Sequence, residues 1–82
     1  MKISVIIATF NGEEFLAQQL NSIINQTILP HELVISDDAS KDNTVNILNN
    51  FIKEAPIEVT LLTNQFNIGY TGNFSKALMH AS

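Results

Sequence analysis

The stretch Ile3-Ser4-Val5-Ile6-Ile7-Ala8 decides the fold, because it is an almost unbroken run of apolar, mostly β-branched residues. Such a run is typical of a strand buried on both faces, as in a parallel sheet covered by helices. Asn11 and Gly12 end the run, and from Glu13 the apolar residues recur at helical spacing to about Gln26. The pattern therefore predicts a first β-α unit.

The start of this first helix carries a candidate capping box. Asn11 can accept a hydrogen bond from the first free N–H groups, and Glu14 can reach back while its charge suits the positive end of the helix. We therefore expect the two side chains to cap the helix.

Two further units follow the same pattern. Residues 33–36 form a second apolar run, and the helix after it is expected to begin at a Ser40 or Asp42 cap and to end before Pro56. In residues 57–61 apolar and polar residues alternate, which indicates a strand with one exposed face or an edge position.

The third helix is expected to begin near Thr71 or Gly72 and to run to the end of the chain. Its apolar stripe consists of Phe74, Ala77, Leu78 and Ala81. Three β-α units predict the α/β class: a three-layer, Rossmann-like parallel sheet in the order 3-2-1 with right-handed crossovers. That order leaves the hydrophobic strand 3–8 at an edge, so we expect residues 1–82 to be the incomplete N-terminal part of a larger sheet.

Composition excludes several classes of function. The chain has 82 residues, a net charge of −4 and no cysteine. Its only cations besides histidine are four scattered lysines, which is too little positive charge for nucleic-acid binding. The apolar runs are too short to span a membrane, and no signal peptide is expected. His31 and His80 have no clustered partners, so a metal role is not expected for either.

Ligands of open parallel sheets bind beyond the carboxyl ends of the strands, which draws attention to residues 9–14, 37–42 and 64–72. The first segment has a single glycine and lacks the glycine patterns of dinucleotide-binding and P-loop proteins. In the second, Asp37 and Asp38 are adjacent and should point to opposite sides. We expect Asp37 to accept a hydrogen bond from a base or sugar, and Asp38 to brace the loops.

These segments also have purely structural interpretations. Asp38 can serve with Ser40 and Asp42 only to cap the second helix. Phe10 can stack on a planar base, or it can be a hydrophobic staple on the first helical turn. In the third segment the polar and glycine residues can be plain turn chemistry, with the glycines at positive φ. These residues are Asn67, Gly69, Gly72 and Asn73.

Taken together and in register, these segments resemble the start of the family 2 glycosyltransferases, nucleotide-sugar-dependent enzymes with a GT-A fold. The resemblance covers essentially the whole chain. It rests on Ser4-Val5-Ile6-Ile7-Ala8-Thr9-Phe10-Asn11, Ser22-Ile23-Ile24-Asn25-Gln26-Thr27, Glu32-Leu33-Val34-Ile35-Ser36-Asp37-Asp38-Ala39-Ser40-Lys41-Asp42-Asn43-Thr44, and Asn67-Ile68-Gly69 with Asn73. The family usually has proline at the position of Ala8, tyrosine at Phe10 and often glycine at Ala39.

The resemblance implies a nucleotide site at these positions. Ala8, Thr9 and Phe10 would line the base and ribose, Asp37 would accept a hydrogen bond from the base, and residues 67–73 would close over the nucleotide. The expected nucleotide-binding residues are Ala8, Thr9, Phe10, Asn11, Glu14, Asp37, Asp38 and Gly69.

The resemblance also implies what lies outside the chain. Family members carry a later D-x-D type motif that holds Mg²⁺ or Mn²⁺ on the diphosphate, and a later carboxylate that acts as general base. Neither is present in these 82 residues, so no catalytic residue is expected and the isolated piece should be inactive.

The resemblance further implies the substrates and the location. The donor would be a nucleoside diphosphate sugar of the UDP or dTDP type, and the acceptor a glycan or lipid-linked glycan of cell-surface polysaccharide synthesis. The parent enzyme would be cytoplasmic and, through its other parts, membrane-associated.

Two other classes of protein compete with this assignment. A small α/β interaction module would dimerise through the edge of strand 3–8, and the cut edge predicts self-association in either case. A receiver-like phosphoacceptor domain would need its acidic pair after the first strand, where Thr9 stands instead.

Overall fold

The computed structural model describes residues 3–26 and 29–81, which form three strands and three helices in strict alternation. The elements in chain order are β1 (Ser4–Thr9), α1 (Glu13–Ile24), β2 (Glu32–Asp37), α2 (Thr44–Glu54), β3 (Glu58–Thr63) and α3 (Tyr70–His80). Thr27, which belongs to the second segment of the resemblance, lies outside the described residues. None of the helices in the described ranges is long and apolar enough to cross a membrane.

The three strands form one parallel sheet in the order β1-β2-β3, so the predicted α/β class and strand order are confirmed. The register pairs Thr9 with Asp37 and Asp37 with Thr63. The carboxyl ends of all three strands therefore lie side by side along one border of the sheet.

The helices cover both faces of the sheet. The core cluster joins Leu16 and Leu20 of α1 and Leu48 of α2 with Leu33 and Ile35 of β2. Because neighbouring strand residues point to opposite faces, the even-numbered residues of β2 belong to the other face. There α3 packs against β1 and β2. This arrangement brings the first turn of α3 to the carboxyl ends of the strands.

The strand that is buried on both faces is β2, not β1. All six residues of β2 are buried, whereas in β1 only Thr9 is buried and the other five are partly exposed. The expectation for β1 was wrong for the residues described here, because β1 pairs on one side only, with β2. Self-association through this edge stays a prediction.

The predicted capping box at α1 is also wrong. Asn11 adopts a positive φ of 48°, and its side chain accepts a hydrogen bond from the backbone N–H of Lys41 instead of from α1. The helix begins after Gly12, whose N–H donates to the Thr44 hydroxyl of α2 at 2.9 Å. An acceptor from the first residue of α2 thus takes the place of a local cap, and α1 ends at Ile24 rather than Gln26.

The other helix boundaries shift slightly. Asp42, one of the two predicted caps of α2, accepts hydrogen bonds from the Thr44 N–H and hydroxyl, although Asn43 is the residue before the helix. The third helix begins at Tyr70, so Gly72 and Asn73 are helical and not turn residues. Only Gly69 takes the positive φ expected of the glycines, at 89°.

The buried face of α3 differs from the predicted stripe. Ala77 is buried as expected, but Phe74 and Leu78 are exposed, Ala81 lies after the end of the helix, and the second buried residue of the helix is Asn73. A small side chain and a fully hydrogen-bonded polar one let this face lie against the strand ends.

Candidate functional site

A cavity of about 530 Å³ lies beyond the carboxyl ends of β1 and β2, at the start of α3. This volume is within the range of about 300–1,000 Å³ found for small-molecule sites. Its lining residues are Ala8, Thr9, Phe10, Asp38, Asn67, Gly69, Tyr70 and Asn73. The place is the one at which open parallel sheets bind their ligands.

Asp38 holds the loop that forms one side of the cavity. Its carboxylate accepts hydrogen bonds from the backbone N–H groups of Ile68 at 2.8 Å and Gly69 at 3.0 Å, and from the Asn64 side chain at 2.9 Å. The side-chain amide of Asn67 also donates to the Asp38 carbonyl. The bracing role predicted for Asp38 is therefore present, and this side chain does not cap α2.

These contacts favour the ionised form of Asp38. The Ile68 N–H is the main cause that holds the pKa of this carboxyl below its ordinary value, burial opposes it, and the Asn64 and Gly69 hydrogen bonds lower it further. The wall of the cavity thus carries a negative charge at neutral pH.

Asp37 lies inside the loop network rather than among the lining residues. It is 1% exposed, and its carboxylate accepts from the Thr9 hydroxyl at 2.7 Å, the Ser40 hydroxyl at 2.6 Å and the Ser40 N–H at 2.9 Å. It therefore ties the end of β1 to the loop after β2. Its contact with a nucleotide base stays a prediction.

Two loops are clasped together next to Phe10. The Ser40 hydroxyl accepts from the Asn11 N–H at 2.8 Å, and the Asn11 side chain accepts from the Lys41 N–H at 2.8 Å. Asn11 thus positions the loop that carries Phe10, although it is not itself a lining residue. Glu14 lies exposed on α1 and is not a lining residue.

Asn73 joins all three strand ends to α3. Its side-chain amide donates to the Ser36 carbonyl at 2.7 Å and the Thr9 carbonyl at 3.4 Å. Its oxygen accepts from the Ser36 hydroxyl at 2.6 Å and the Asn64 side chain at 3.1 Å. The amide's donors and acceptor are all used, which explains how a polar side chain is buried here.

Two aromatic side chains border the cavity. Phe10, at the end of β1, is 54% exposed, so it contributes little to a staple on α1. Tyr70, the first residue of α3, is 74% exposed. Sequence patterns point to Phe10 but not to Tyr70, because an exposed aromatic residue at a helix start has no periodic signature. The one sequence feature that could have indicated Tyr70 is Phe74, an aromatic residue four positions further along the helix, with which its ring stacks.

The described residues do not fit a divalent metal. No group of three or more His, Cys, Asp or Glu side chains in residues 3–26 and 29–81 is arranged to hold one. The carboxylates nearest the cavity, Asp37 and Asp38, are each already engaged by three protein donors. We therefore assign no metal-dependent step to these residues.

The sheet order and the cavity at the strand ends place the chain among the Rossmann-like α/β domains. More particularly, residues 4–82 match the family model "Glycosyl transferase family 2", and the chain belongs to that family. The resemblance predicted from the sequence is confirmed.

Curated and solved relatives agree. The chain is 35% identical, over 99% of its length, to the GalNAc(5)-diNAcBac-PP-undecaprenol beta-1,3-glucosyltransferase of Campylobacter jejuni, of which it covers 26%. It superposes with a TM-score of 0.89 on the mannosyltransferase PcManGT from Pyrobaculum calidifontis in complex with GDP-Man and Mn²⁺, at 27% identity over 99% of this chain and 24% of that one.

The S. aureus protein TarS 1-349 in complex with UDP-GlcNAc gives a TM-score of 0.87 at 30% identity, over 100% of this chain and 24% of that one. These neighbours have the GT-A fold, and the present chain matches only their N-terminal part. The chain spans between 25% and 29% of the length of the first curated relatives that it matches.

Proposed function

We propose that the cavity binds the nucleotide of a nucleoside diphosphate sugar of the UDP or dTDP type, and that residues 1–82 are the N-terminal part of a GT-A nucleotide-sugar-binding domain. The longer protein would transfer the sugar to an acceptor hydroxyl. The observation that carries this proposal is the pairing of the exposed Phe10 ring with the ionised Asp38 carboxylate in one cavity at the strand ends.

Each of these groups suits a different feature of a nucleotide base. The flat Phe10 ring offers a stacking surface for a base at little entropic cost. A carboxylate has about four acceptor positions, and in Asp38 protein donors occupy three of them. One position remains for a ring N–H such as the imide of uracil or thymine. Because Asp38 is a lining residue, it is a better candidate for the base contact than Asp37.

The metal and the catalytic base belong to the remainder of the protein in this proposal. PcManGT is in complex with GDP-Man and Mn²⁺, which supports use of Mg²⁺ or Mn²⁺ at the diphosphate. The net charge of −4 and the absence of arginine support it too, since these residues offer a diphosphate little positive charge.

The acceptor would be a glycan or a lipid-linked glycan. The Campylobacter jejuni relative is named for an undecaprenol-linked acceptor, and TarS is in complex with UDP-GlcNAc. Use of a lipid-linked acceptor supports a cytoplasmic enzyme that acts at the membrane surface in the synthesis of cell-surface polysaccharide.

Titration of the ¹⁵N-labelled chain with UDP tests the nucleotide site. We expect the amide signals of Thr9, Phe10 and Gly69 to shift in a saturable way. No saturable shift at these amides with UDP or with GDP would contradict the proposal.

Two isosteric variants then separate the neighbouring carboxylates. Asp38→Asn should weaken UDP binding about tenfold, and Asp37→Asn should weaken it less, because Asp37 is not a lining residue. Glu58→Gln is the matched control, since Glu58 is exposed at the opposite end of the sheet. If Asp37→Asn has the larger effect, the base contact belongs to Asp37.

A further inference from the structure

Tyr70 lies where the loop held by Asp38 becomes helix α3. Asp38 accepts hydrogen bonds from the backbone N–H groups of Ile68 and Gly69, the two residues that precede Tyr70. Gly69 takes a φ of 89°, and α3 begins at the next residue. The backbone that carries the tyrosine ring is therefore anchored to the end of β2.

The ring of Tyr70 is also held from its own helix. It stacks on Phe74, with ring centroids 6.2 Å apart and an angle of 13° between the planes. Residues four apart on a helix lie on the same face, so this contact is local and needs no ligand. A ring already held in place loses little conformational freedom when a ligand stacks on it.

The cavity is thus bordered by two aromatic residues from different elements. Phe10 belongs to the loop after β1 and Tyr70 to the first turn of α3, and both line the same space. Both keep more than half of their surface exposed. Polar lining residues lie with them, so the space combines stacking surfaces with hydrogen-bonding groups.

The geometry points to Tyr70 as a second base-binding residue: the planar base of the nucleotide stacks on both Phe10 and Tyr70. This inference rests on the proposed function, because it specifies how that site holds its ligand. Stacking on aromatic rings tolerates either a purine or a pyrimidine. The aromatic pair therefore supplies affinity for any base, and Asp38 supplies the preference for a base with a suitably placed N–H.

Tyr70 is the chain's only tyrosine and there is no tryptophan, so its fluorescence reports on this position alone. We expect saturable quenching by UDP in the wild-type chain. The control is the double variant Tyr70→Phe, Phe15→Tyr, which moves the fluorophore to α1 while keeping a ring at position 70. Phe15 is 65% exposed and is not a lining residue. The fluorescence of this variant should fall only because UDP absorbs light, in proportion to the UDP concentration and without saturation.

Affinity measurements separate stacking from a structural role. Tyr70→Leu should weaken UDP binding about 2- to 12-fold, and Tyr70→Phe should change it by less than about twofold. The Asn64 side-chain amide signals of the ligand-free proteins report on the loop held by Asp38, and they should be the same in all three proteins. A shift of these signals in Tyr70→Leu together with the loss of UDP affinity would overturn the inference, because it would indicate a distorted loop.

The two levels of the proposal fail in different ways. Shifts of the Thr9 and Phe10 amides on UDP titration, without change in the Tyr70 ring signals or fluorescence, would overturn the inference and leave the nucleotide site intact. Absence of all these responses would overturn the proposed function itself.

Discussion

Asp38 and Gly69 are 31 residues apart in the chain, and the Gly69 N–H donates to Asp38 Oδ2 at 3.0 Å. This hydrogen bond, with its neighbour from Ile68, fixes the start of α3 on the end of β2. Gly69 has a φ of 89° and a ψ of 161°, a region that is essentially restricted to glycine. The position of the cavity wall thus depends on a carboxylate and on a backbone conformation that only one residue type readily adopts.

The first prediction concerns that conformation. Gly69→Ala should lower the free energy of unfolding by about 1–3 kcal/mol, through backbone strain alone, since nothing lies within 4 Å of an added Cβ. Urea unfolding of the 82-residue chain measures the change. Gly12→Ala is the control: it has the same open surroundings but a φ of −103°, so it should stay within about 0.5 kcal/mol of wild type. Equal effects at both positions would contradict the role of the backbone angle.

The second prediction concerns pH. The pKa of Asp38 is lowered in the folded chain, chiefly by the Ile68 N–H, so its stabilising effect is complete above the ordinary value of 3.8. That effect is lost as the pH falls through the lower folded-state pKa. Carboxyl carbon shifts of Asp38, followed together with the Ile68 and Gly69 amide shifts, should show all three titrating together below pH 3.8.

A control is needed because the pKa of Asp42 is also lowered in the folded chain. The Thr44 hydroxyl is the main cause of its lowered pKa. Asp38→Asn should abolish the acid titration of the Ile68 and Gly69 amides while leaving that of the Thr44 amide. A midpoint for Asp38 at or above 3.8 would show that the loop hydrogen bonds do not favour its ionised form.

The sheet could be predicted from the sequence because it depends on local periodicity. Apolar runs, helical spacing and strand-helix alternation indicate the class, the usual topology of such units indicates the order, and the structure has both. The role of Asn11 could not be predicted in this way. Its partners Ser40 and Lys41 are 29 and 30 residues away in the chain. Its backbone also has a positive φ, and its side chain bonds to the second loop instead of capping α1.

The site was predictable only in part for the same reason. Five of the eight residues that the family resemblance implies line the cavity. These five are Ala8, Thr9, Phe10, Asp38 and Gly69. Asn73 and Tyr70 lie on α3, whose apolar pattern predicts a different buried face. The burial of this asparagine can be explained only when its partners at the three strand ends are known.

The third prediction concerns Ala39, which has a φ of 57° in the loop after β2. An alanine in the left-handed conformation lowers the free energy of unfolding by about 1–2 kcal/mol. Replacing it with glycine removes this strain but loses about 0.4–1 kcal/mol, because glycine has more conformational freedom in the unfolded chain. Ala39→Gly should therefore raise the free energy of unfolding by about 0.5–1 kcal/mol. Ala17→Gly, in the exposed interior of α1, should instead lower it by about 1 kcal/mol. Destabilisation of both variants in urea would contradict a strained Ala39.

The last prediction concerns Phe10, where family members usually carry tyrosine. If this ring stacks on the base, Phe10→Ala should weaken UDP binding at least fivefold, roughly the lower limit for loss of one base-aromatic contact. Phe10→Tyr keeps the stacking face, and the ring is 54% exposed, so its hydroxyl has room to remain hydrated or to bind the nucleotide. Its UDP affinity should equal or exceed that of wild type.

Phe15→Ala is the matched control for Phe10→Ala, because Phe15 is 65% exposed on α1 and is not a lining residue. Calorimetric titration with UDP measures all four proteins, and thermal unfolding shows whether each variant is folded. Equal losses for Phe10→Ala and Phe15→Ala would remove the evidence for stacking at Phe10. A loss for Phe10→Tyr as large as that for Phe10→Ala would show that the cavity requires the size of phenylalanine rather than its aromatic face.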